Sequence, residues 1–172
     1  MLRIFWAMAI MAIVVTFLIY PGEGMDSTVN QKILIGWLEK VYLSEYEFAL
    51  TTKMDTGAKN SSMHAMDLEY IKKGKAEGSR IRFKTMDLKG RYRFIEAEVV
   101  RDVRIKGIFT KTTRPEIELE ICLGGVRKRI RVNLTDRGGK NYRMILGRTA
   151  LEGDFIVDVS KKFIAGSGCR KP

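Results

Sequence analysis

Between Glu116 and Leu134 the chain alternates apolar and polar residues with a period of two. Ile117, Leu119, Ile121 and Leu123 alternate with Glu116, Glu118, Glu120 and Cys122. After Gly124-Gly125, Ile130, Val132 and Leu134 alternate with Arg129, Arg131 and Asn133. Successive side chains of a strand face opposite ways, so each arm has one face for a core and one for solvent. The diglycine between them marks a turn, and the whole reads as a β-hairpin. An acidic arm opposite a basic arm also suits cross-strand pairing on the outer face. Further along, Ile81 and Phe83 alternate with Arg80, Arg82 and Lys84; Asp87 to Gly90 turns the chain, and Arg91 to Val100 returns. Ile33 to Trp37 opens the domain, and Glu39 to Leu43 continues it or pairs with it. Phe48 to Met54, Tyr142 to Leu146, Phe155 to Val159 and Phe163-Ile164 read as further strands. Ser61 to Tyr70 holds a short strand or a helical turn, and Thr149 to Glu152 one helical turn. A mostly all-β domain with one short helix is expected.

Two short motifs carry the chemistry. Asp55-Thr56-Gly57-Ala58 follows the apolar strand that ends at Met54. Met144-Ile145-Leu146-Gly147-Arg148 comes some ninety residues later. Asp55 supplies a carboxylate, and Thr56 a hydroxyl able to tie the loop down. Gly57 lets the backbone pass a facing loop without a Cβ in the way, and Ala58 is small for the same reason. Alone, Asp-Thr-Gly is also a plain turn, with Asp bonding its own backbone and Gly taking positive φ. The order of the two motifs, and the apolar run before each, favour the functional reading.

The first twenty residues differ from the rest. Ile4 to Tyr20 is apolar apart from Thr16 and carries no charge. Seventeen helical residues span roughly 26 Å, enough for a thin bilayer core. Trp6 and Tyr20 lie near its ends, Arg3 precedes it, and Glu23 and Asp26 follow. That asymmetry puts the N-terminus in the cytoplasm and the remainder outside. A cleaved signal peptide is the rival, but Phe17 to Tyr20 lacks the small residues a cut requires. The expected layout is a transmembrane signal anchor over 1–20, a linker over 21–31, a β domain over 32–165 and a disordered tail over 166–172.

A formal net charge of +11 is large for one small domain. It suits nucleic acid, anionic lipid, an acidic peptide, or simply a well-solvated surface. The basic residues are spread along strands without the aromatic-basic motif of an RNA-binding sheet, and external topology also argues against nucleic acid. The two cysteines, Cys122 and Cys169, would be able to pair in an oxidising compartment, and the sequence leaves that open. No Cys-His cluster or His-Glu-x-x-His helix is present, so neither a metal nor a cofactor is expected.

As a set, these motifs resemble a retropepsin-type aspartic protease subunit. The likeness is closer to a bacterial family of RimB-like proteins, commonly labelled ATP-dependent zinc proteases. It is carried by Ile35-Gly36-Trp37, Lys53 to Ala58, Ser62 to Asp67, Arg114 to Ile117, Leu123 to Gly125, Met144 to Arg148 and Val157-Asp158. It covers nearly all of residues 33 to 163. It implies a closed β-barrel or sandwich subunit working as a homodimer, with one Asp55 from each chain meeting at the two-fold axis. The catalytic residue would be Asp55, on a loop of Thr56, Gly57 and Ala58 backed by Ile145, Leu146, Gly147 and Arg148. Arg148 in the family pairs with an acid just after the turn. Here Lys59 stands there, and Asp67 is the alternative partner. By position the flap lies between Asp102 and Arg114, tipped at Lys106, Gly107 and Ile108, with Asp87 to Gly90 as a second candidate. His64 would contact substrate or serve as a satisfied structural histidine. The label's zinc and ATP find no ligand set and no phosphate loop in this sequence.

The resulting expectation is an aspartic endopeptidase anchored in a bacterial inner membrane by a single pass, with its catalytic domain periplasmic. Some relatives are associated with glutamate ligases, and a glutamate-bearing peptide or protein substrate would suit the basic charge. A catalytically silent peptide-binding or scaffolding subunit is the alternative. A basic barrel that binds lipid head groups or nucleic acid is the third reading.

Overall fold

The structure is a computed structural model, and it describes residues 31–72, 78–106 and 111–166. The alternating segments form strands: β1 (Ile33–Leu43), β2 (Phe48–Met54), β3 (Ser61–His64), β4 (Met66–Lys72) and β5 (Arg80–Met86). They continue as β6 (Tyr92–Lys106), β7 (Lys111–Leu123), β8 (Val126–Thr135), β9 (Met144–Leu146) and β10 (Phe155–Lys162). One helical turn, α1 (Arg148–Leu151), sits between the last two strands. The sheet order is β10-β1-β2-β9-β3-β8-β7-β6-β5-β4.

A second pairing of β1, with β7, closes six of these strands into a barrel. Tyr42↔Cys122 and Leu43↔Ile121 make that short seam, and the Ser44 N–H extends it by donating to the Glu120 carbonyl at 3.0 Å. The alternating apolar residues of β7 and β8 point inward, where Ile117, Leu119, Ile130, Val132 and Leu134 join Ile35, Val41, Leu50 and Met63 in one core. The β7–β8 turn uses Gly124 and Gly125 at φ 58° and 87°, as a two-residue hairpin turn demands. On the outer face Glu118 opposes Arg131 in register and pairs with it at 3.1 Å.

The strands are longer than alternation alone predicts. Ile33 to Leu43 is a single strand rather than two. Ser61 to Tyr70 holds the short strand β3 and, past a break at Ala65, most of β4, with Asp67 at φ 50° and no helical turn. Strand β6 runs on past Val100 to Lys106, because a bulge between Val99 and Arg101 lets it change partners. Its first half pairs with β5 and its second with β7. A bulge bends a strand without ending it, and no periodic pattern announces one.

The chain ends are fastened together. Strand β10 pairs in parallel with β1, so closely that a Cβ on Gly36 would lie 2.6 Å from the Lys161 carbonyl oxygen. The buried Glu39 carboxylate secures the segment after β10. Its Oε1 accepts hydrogen bonds from the backbone N–H groups of Gly36, Ile164 and Ala165 at 2.7, 2.9 and 3.1 Å. Cys122 is disulfide-bonded; Cys169 lies outside the described residues, as do the expected anchor over 1–20 and most of the linker and tail. Among the described residues no helix is long and apolar enough to cross a membrane.

Replacing Glu39 with Ala strands those three N–H donors in a buried position. The variant is expected to lose about 3 kcal/mol of unfolding free energy, the cost of leaving buried donors unmet, as read from urea denaturation followed by circular dichroism.

Candidate active site

Strand β2 delivers Asp55 to the top of the barrel, and β9 lies parallel beside it with Met54↔Leu146 as the last pair. The Asp55 N–H extends that ladder by donating to the Leu146 carbonyl at 2.8 Å. The Ala58 N–H then donates back to the Asp55 carbonyl at 3.1 Å, which closes the turn. Asp55 keeps 26% of its side chain exposed, and the Lys53 ammonium stands 3.6 Å from its Oδ2.

The Gly147-Arg148 segment holds the other side of the loop. A Cβ on Gly147 would lie 2.6 Å from the Asn60 carbonyl carbon and 2.7 Å from the Lys59 carbonyl oxygen, so only glycine fits. With that approach made, the Gly147 N–H reaches the Ser61 hydroxyl at 3.2 Å. The Arg148 N–H donates to Ala58, and the Thr149 N–H to Lys59. The Arg148 side chain does not pair with an acid. Its Nη1 donates to the carbonyls of Thr56 and Gly57 at 2.9 and 3.0 Å, while Asp67 pairs with Lys84. The expected acid partner is replaced by two carbonyl oxygens, which a guanidinium can serve as well as a carboxylate. Ile145 lies beside Lys53 and Ser62 in the same ladder. A cavity of about 520 Å³ adjoins the loop, lined by Thr56, Arg148, Leu151, Phe155 and Val157 among others.

Two expected features are absent within one chain. Among the described residues the Thr56 hydroxyl has no hydrogen-bond partner. A Cβ on Gly57 would meet only its neighbour Asp55 Oδ1, at an ordinary 3.4 Å. Among the described residues nothing else packs against the open face of Gly57.

Residues 136 to 141 form a polar loop between β8 and β9, and the structure gives that loop a role. The Arg143 guanidinium folds it by donating from Nη1 to the carbonyls of Arg137 and Gly138. Tyr142 packs edge-on against Trp37, with ring centroids 5.9 Å apart. His64 supports it from below: its buried Nδ1 accepts the Arg137 N–H at 2.8 Å. Burial pushes the His64 pKa down, and Arg143 adds to this, with Asp136 pulling the other way. The ring is thus neutral and structural, with its proton on Nε2. Arg137 itself lies half-buried within the field of Asp55. Nothing in the sequence marks it, because a polar loop has no periodicity and this arginine follows a turn-forming Asp.

The flap residues are only partly visible. The β6–β7 hairpin ends with Lys106 opposite Lys111, whereas Gly107 and Ile108 lie outside the described residues. The alternative tip, Asp87 to Gly90, is tied by the Leu88 N–H to Ala49. Ala49 is six positions before Asp55 on an extended chain, about 20 Å away. That turn sits at the wrong end of β2 to cover Asp55.

A profile of the family described as RimB-like, "Retropepsin-like aspartic endopeptidase RimB", matches residues 34–167. Among curated proteins, a "Probable alpha-L-glutamate ligase" of Shewanella pealeana (strain ATCC 700345 / ANG-SQ1) is 32% identical over 123 residues, covering 69% of this chain. Another so named, from Parasynechococcus marenigrum (strain WH8102), is 31% identical over 135 residues, covering 75%. The chain spans only about a quarter of these relatives, 26% and 28%. A solved structure, protein Lpg0085 of unknown function (DUF785) from Legionella pneumophila subsp. pneumophila str. Philadelphia 1, is 33% identical with a TM-score of 0.66. It is matched over 98% of its length and 77% of this chain.

The neutral His64 gives the fold a pH dependence with a definite sign. Its folded pKa is lowered, so the unfolded chain takes up a proton near pH 6.5 while the folded chain does not. Its contribution is complete above that value and is lost as pH falls toward the lowered folded pKa. Stability should fall by up to about 1.4 kcal/mol per pH unit across that window. A His64→Gln chain should lack this slope when the two are compared by urea denaturation between pH 7 and pH 5.

Proposed function

Since this chain belongs to the RimB-like family of retropepsin-like aspartic endopeptidases, we propose that it hydrolyses peptide bonds as a homodimer. The observation that carries this reading is the Asp55 loop, held from both flanks by main-chain bonds to Leu146, Ala58 and Arg148 while its carboxylate stays partly open. One carboxylate cannot do the work. Two of them about 3 Å apart share a single proton, because like charges that close cannot both persist. One then takes a proton from a bound water and the other protonates the scissile carbonyl. The water's oxygen bonds to the carbonyl carbon, and collapse of the diol releases the amine without a covalent intermediate. The chain carries one such loop, so the second Asp55 comes from a symmetry-related copy.

Several features support dimerisation. Gly57 has room that its own chain does not use. The Thr56 hydroxyl is available to bond the facing loop. Among the described residues strand β10 is an open sheet edge carrying exposed Ile156 and Val159, with exposed Phe163 just past its end. Unpaired apolar edges of this kind invite another chain. The excess of positive charge and the kinship to proteins named glutamate ligases favour an acidic, glutamate-bearing substrate. The apolar N-terminal run supports a single-pass anchor in a bacterial inner membrane. The disulfide at Cys122 supports an oxidising, periplasmic location for the domain.

A second reading is favoured by the Lys53 ammonium 3.6 Å from Asp55. There the carboxylate is neutralised within its own chain, and the cleft binds peptides without turning them over. One experiment separates the two. The full chain and Asp55→Asn are incubated with a diverse peptide mixture between pH 4 and pH 8, and new termini are read by mass spectrometry. Wild type should cut, and Asp55→Asn should lose at least about a hundredfold in rate, the lower end of what a positioned acid–base group supplies. Circular dichroism should show both chains equally folded. Absence of cuts from a demonstrably dimeric wild type would favour the silent subunit.

A further inference from the structure

Several arginines on the strands are paired with acids, whereas four arginines at the Asp55 end of the barrel rest on neutral oxygens. On the surface Arg82 pairs with Glu96, Arg129 with Glu45 and Arg131 with Glu118, and Arg101 reaches the buried Glu116. Around the site, Arg114, Arg137, Arg143 and Arg148 rest on neutral amide or carbonyl oxygens. None of these four has an acid within ion-pair distance among the described residues.

Arg143 and Arg148 have evident structural work, since each clamps two carbonyls. Arg114 and Arg137 do not. Arg114, from β7, is steadied through Nη1 alone, which donates to Asn133 Oδ1 at 3.2 Å. The buried Asn133 is itself fixed by donating from Nδ2 to the Ser61 carbonyl at 2.6 Å. Arg137, from the loop between β8 and β9, donates from Nε to the Tyr142 carbonyl at 3.1 Å. Its two terminal nitrogens have no partner among the described residues. Burial first, and then the charge of Arg114, lower the Arg137 pKa, while the Asp55 carboxylate opposes them. Arg114 reaches Asn133, which pairs with Ser62 in the β3–β8 ladder, and Arg137 follows the end of that ladder at Thr135, so separate elements bring the two guanidinium groups to the same end of the barrel as the Asp55 loop. Holding like charges together in a half-buried place is unfavourable, and an anion between them removes the cost.

We infer that Arg114 and Arg137 form a carboxylate-binding subsite beside Asp55, taking a substrate carboxylate that flanks the scissile bond. The carboxylate is either an acidic side chain or the free end of a peptide. The inference rests on the endopeptidase reading above, and it adds the residues that select the substrate. Two partly free guanidinium forks match a carboxylate's planar oxygens better than ammonium groups would.

The test uses the full chain as wild type, Arg114→Gln and Arg137→Gln. Peptides are paired so that Glu or Gln flanks the cut, each with a free or an amidated C-terminus. Wild type should favour the carboxylate-bearing peptide in kcat/KM by about ten- to a hundredfold, the worth of a charge-assisted hydrogen bond. Either arginine variant should bring the paired peptides close to equality. A preference that follows Glu over Gln identifies the side chain as the source, and one that follows the free end identifies the terminal carboxylate. The two variants lie on different elements, so misfolding of one, seen by circular dichroism, leaves the other decisive. Wild type cutting all peptides equally, or folded variants keeping the full preference, would overturn the subsite while leaving the protease reading intact. Binding of fluorescein-labelled pentaglutamate and pentaglutamine to Asp55→Asn, with and without Arg137→Gln, separates the remaining case. If wild type cuts nothing but pentaglutamate binds in an Arg137-dependent way, the subsite stands and the endopeptidase reading falls. If wild type cuts nothing and the two peptides bind alike, the subsite falls too.

Discussion

The candidate site depends on one close approach of main chain to main chain, between Gly147 and the Lys59-Asn60 segment. No side chain fits there. Because none is present, the amides at 147, 148 and 149 reach the Ser61 hydroxyl and the carbonyls of Ala58 and Lys59. The loop bearing Asp55 is therefore gripped by backbone on one flank and by the β9 ladder on the other. Such bonds have fixed geometry and little rotamer entropy, which is how a carboxylate is held in one place on an otherwise irregular turn. Arg148 adds the last clamp from its side chain, across the tips of Thr56 and Gly57.

That grip draws on the barrel's topology. Strands β2 and β9 run parallel, as do β3 and β8, with β3 and β9 antiparallel between them. Residues 55 and 146, far apart in sequence, meet at the end of one short ladder. The same arrangement brings the 136–143 loop up beside Asp55. On β7 and β8 the acidic and basic faces pair with each other, while Arg114, Arg137, Arg143 and Arg148 at the loop end carry charge that no acid meets among the described residues. A cleft lined by one sign of charge concentrates oppositely charged partners before any contact is made.

Much of this architecture could be read from the residues, and the divide between what was readable and what was not is physical. Period-two alternation located the β7–β8 hairpin and its turn, because inward and outward faces impose opposite chemistry on neighbouring residues. The Asp55 and Gly147 motifs were legible because each demands residue types that few other constraints require. The continuation of β6 through its bulge was not, since a bulge alters register without altering composition. The acceptors of Arg148 were missed because carbonyl oxygens belong to every residue and leave no mark in a sequence. Arg137 was invisible for a related reason: its importance comes from a loop fold set by Arg143, Tyr142 and His64, which are contacts made across the chain.

The pairing of β1 with β10 has a consequence for how the protein is made. The first strand of the domain to leave the ribosome must wait for the last before it gains its outer neighbour. The Glu39 carboxylate meets two of its three donors at sequence separations of 125 and 126 residues. Contacts so distant close late and slowly. Until the final segment arrives, the nascent domain presents the β1 edge and an unsatisfied buried acid, a form suited to chaperone capture. The domain is thus finished only when the segment after β10 is in place, and a chain cut back before Ile164 would leave the Glu39 carboxylate without two of its three donors.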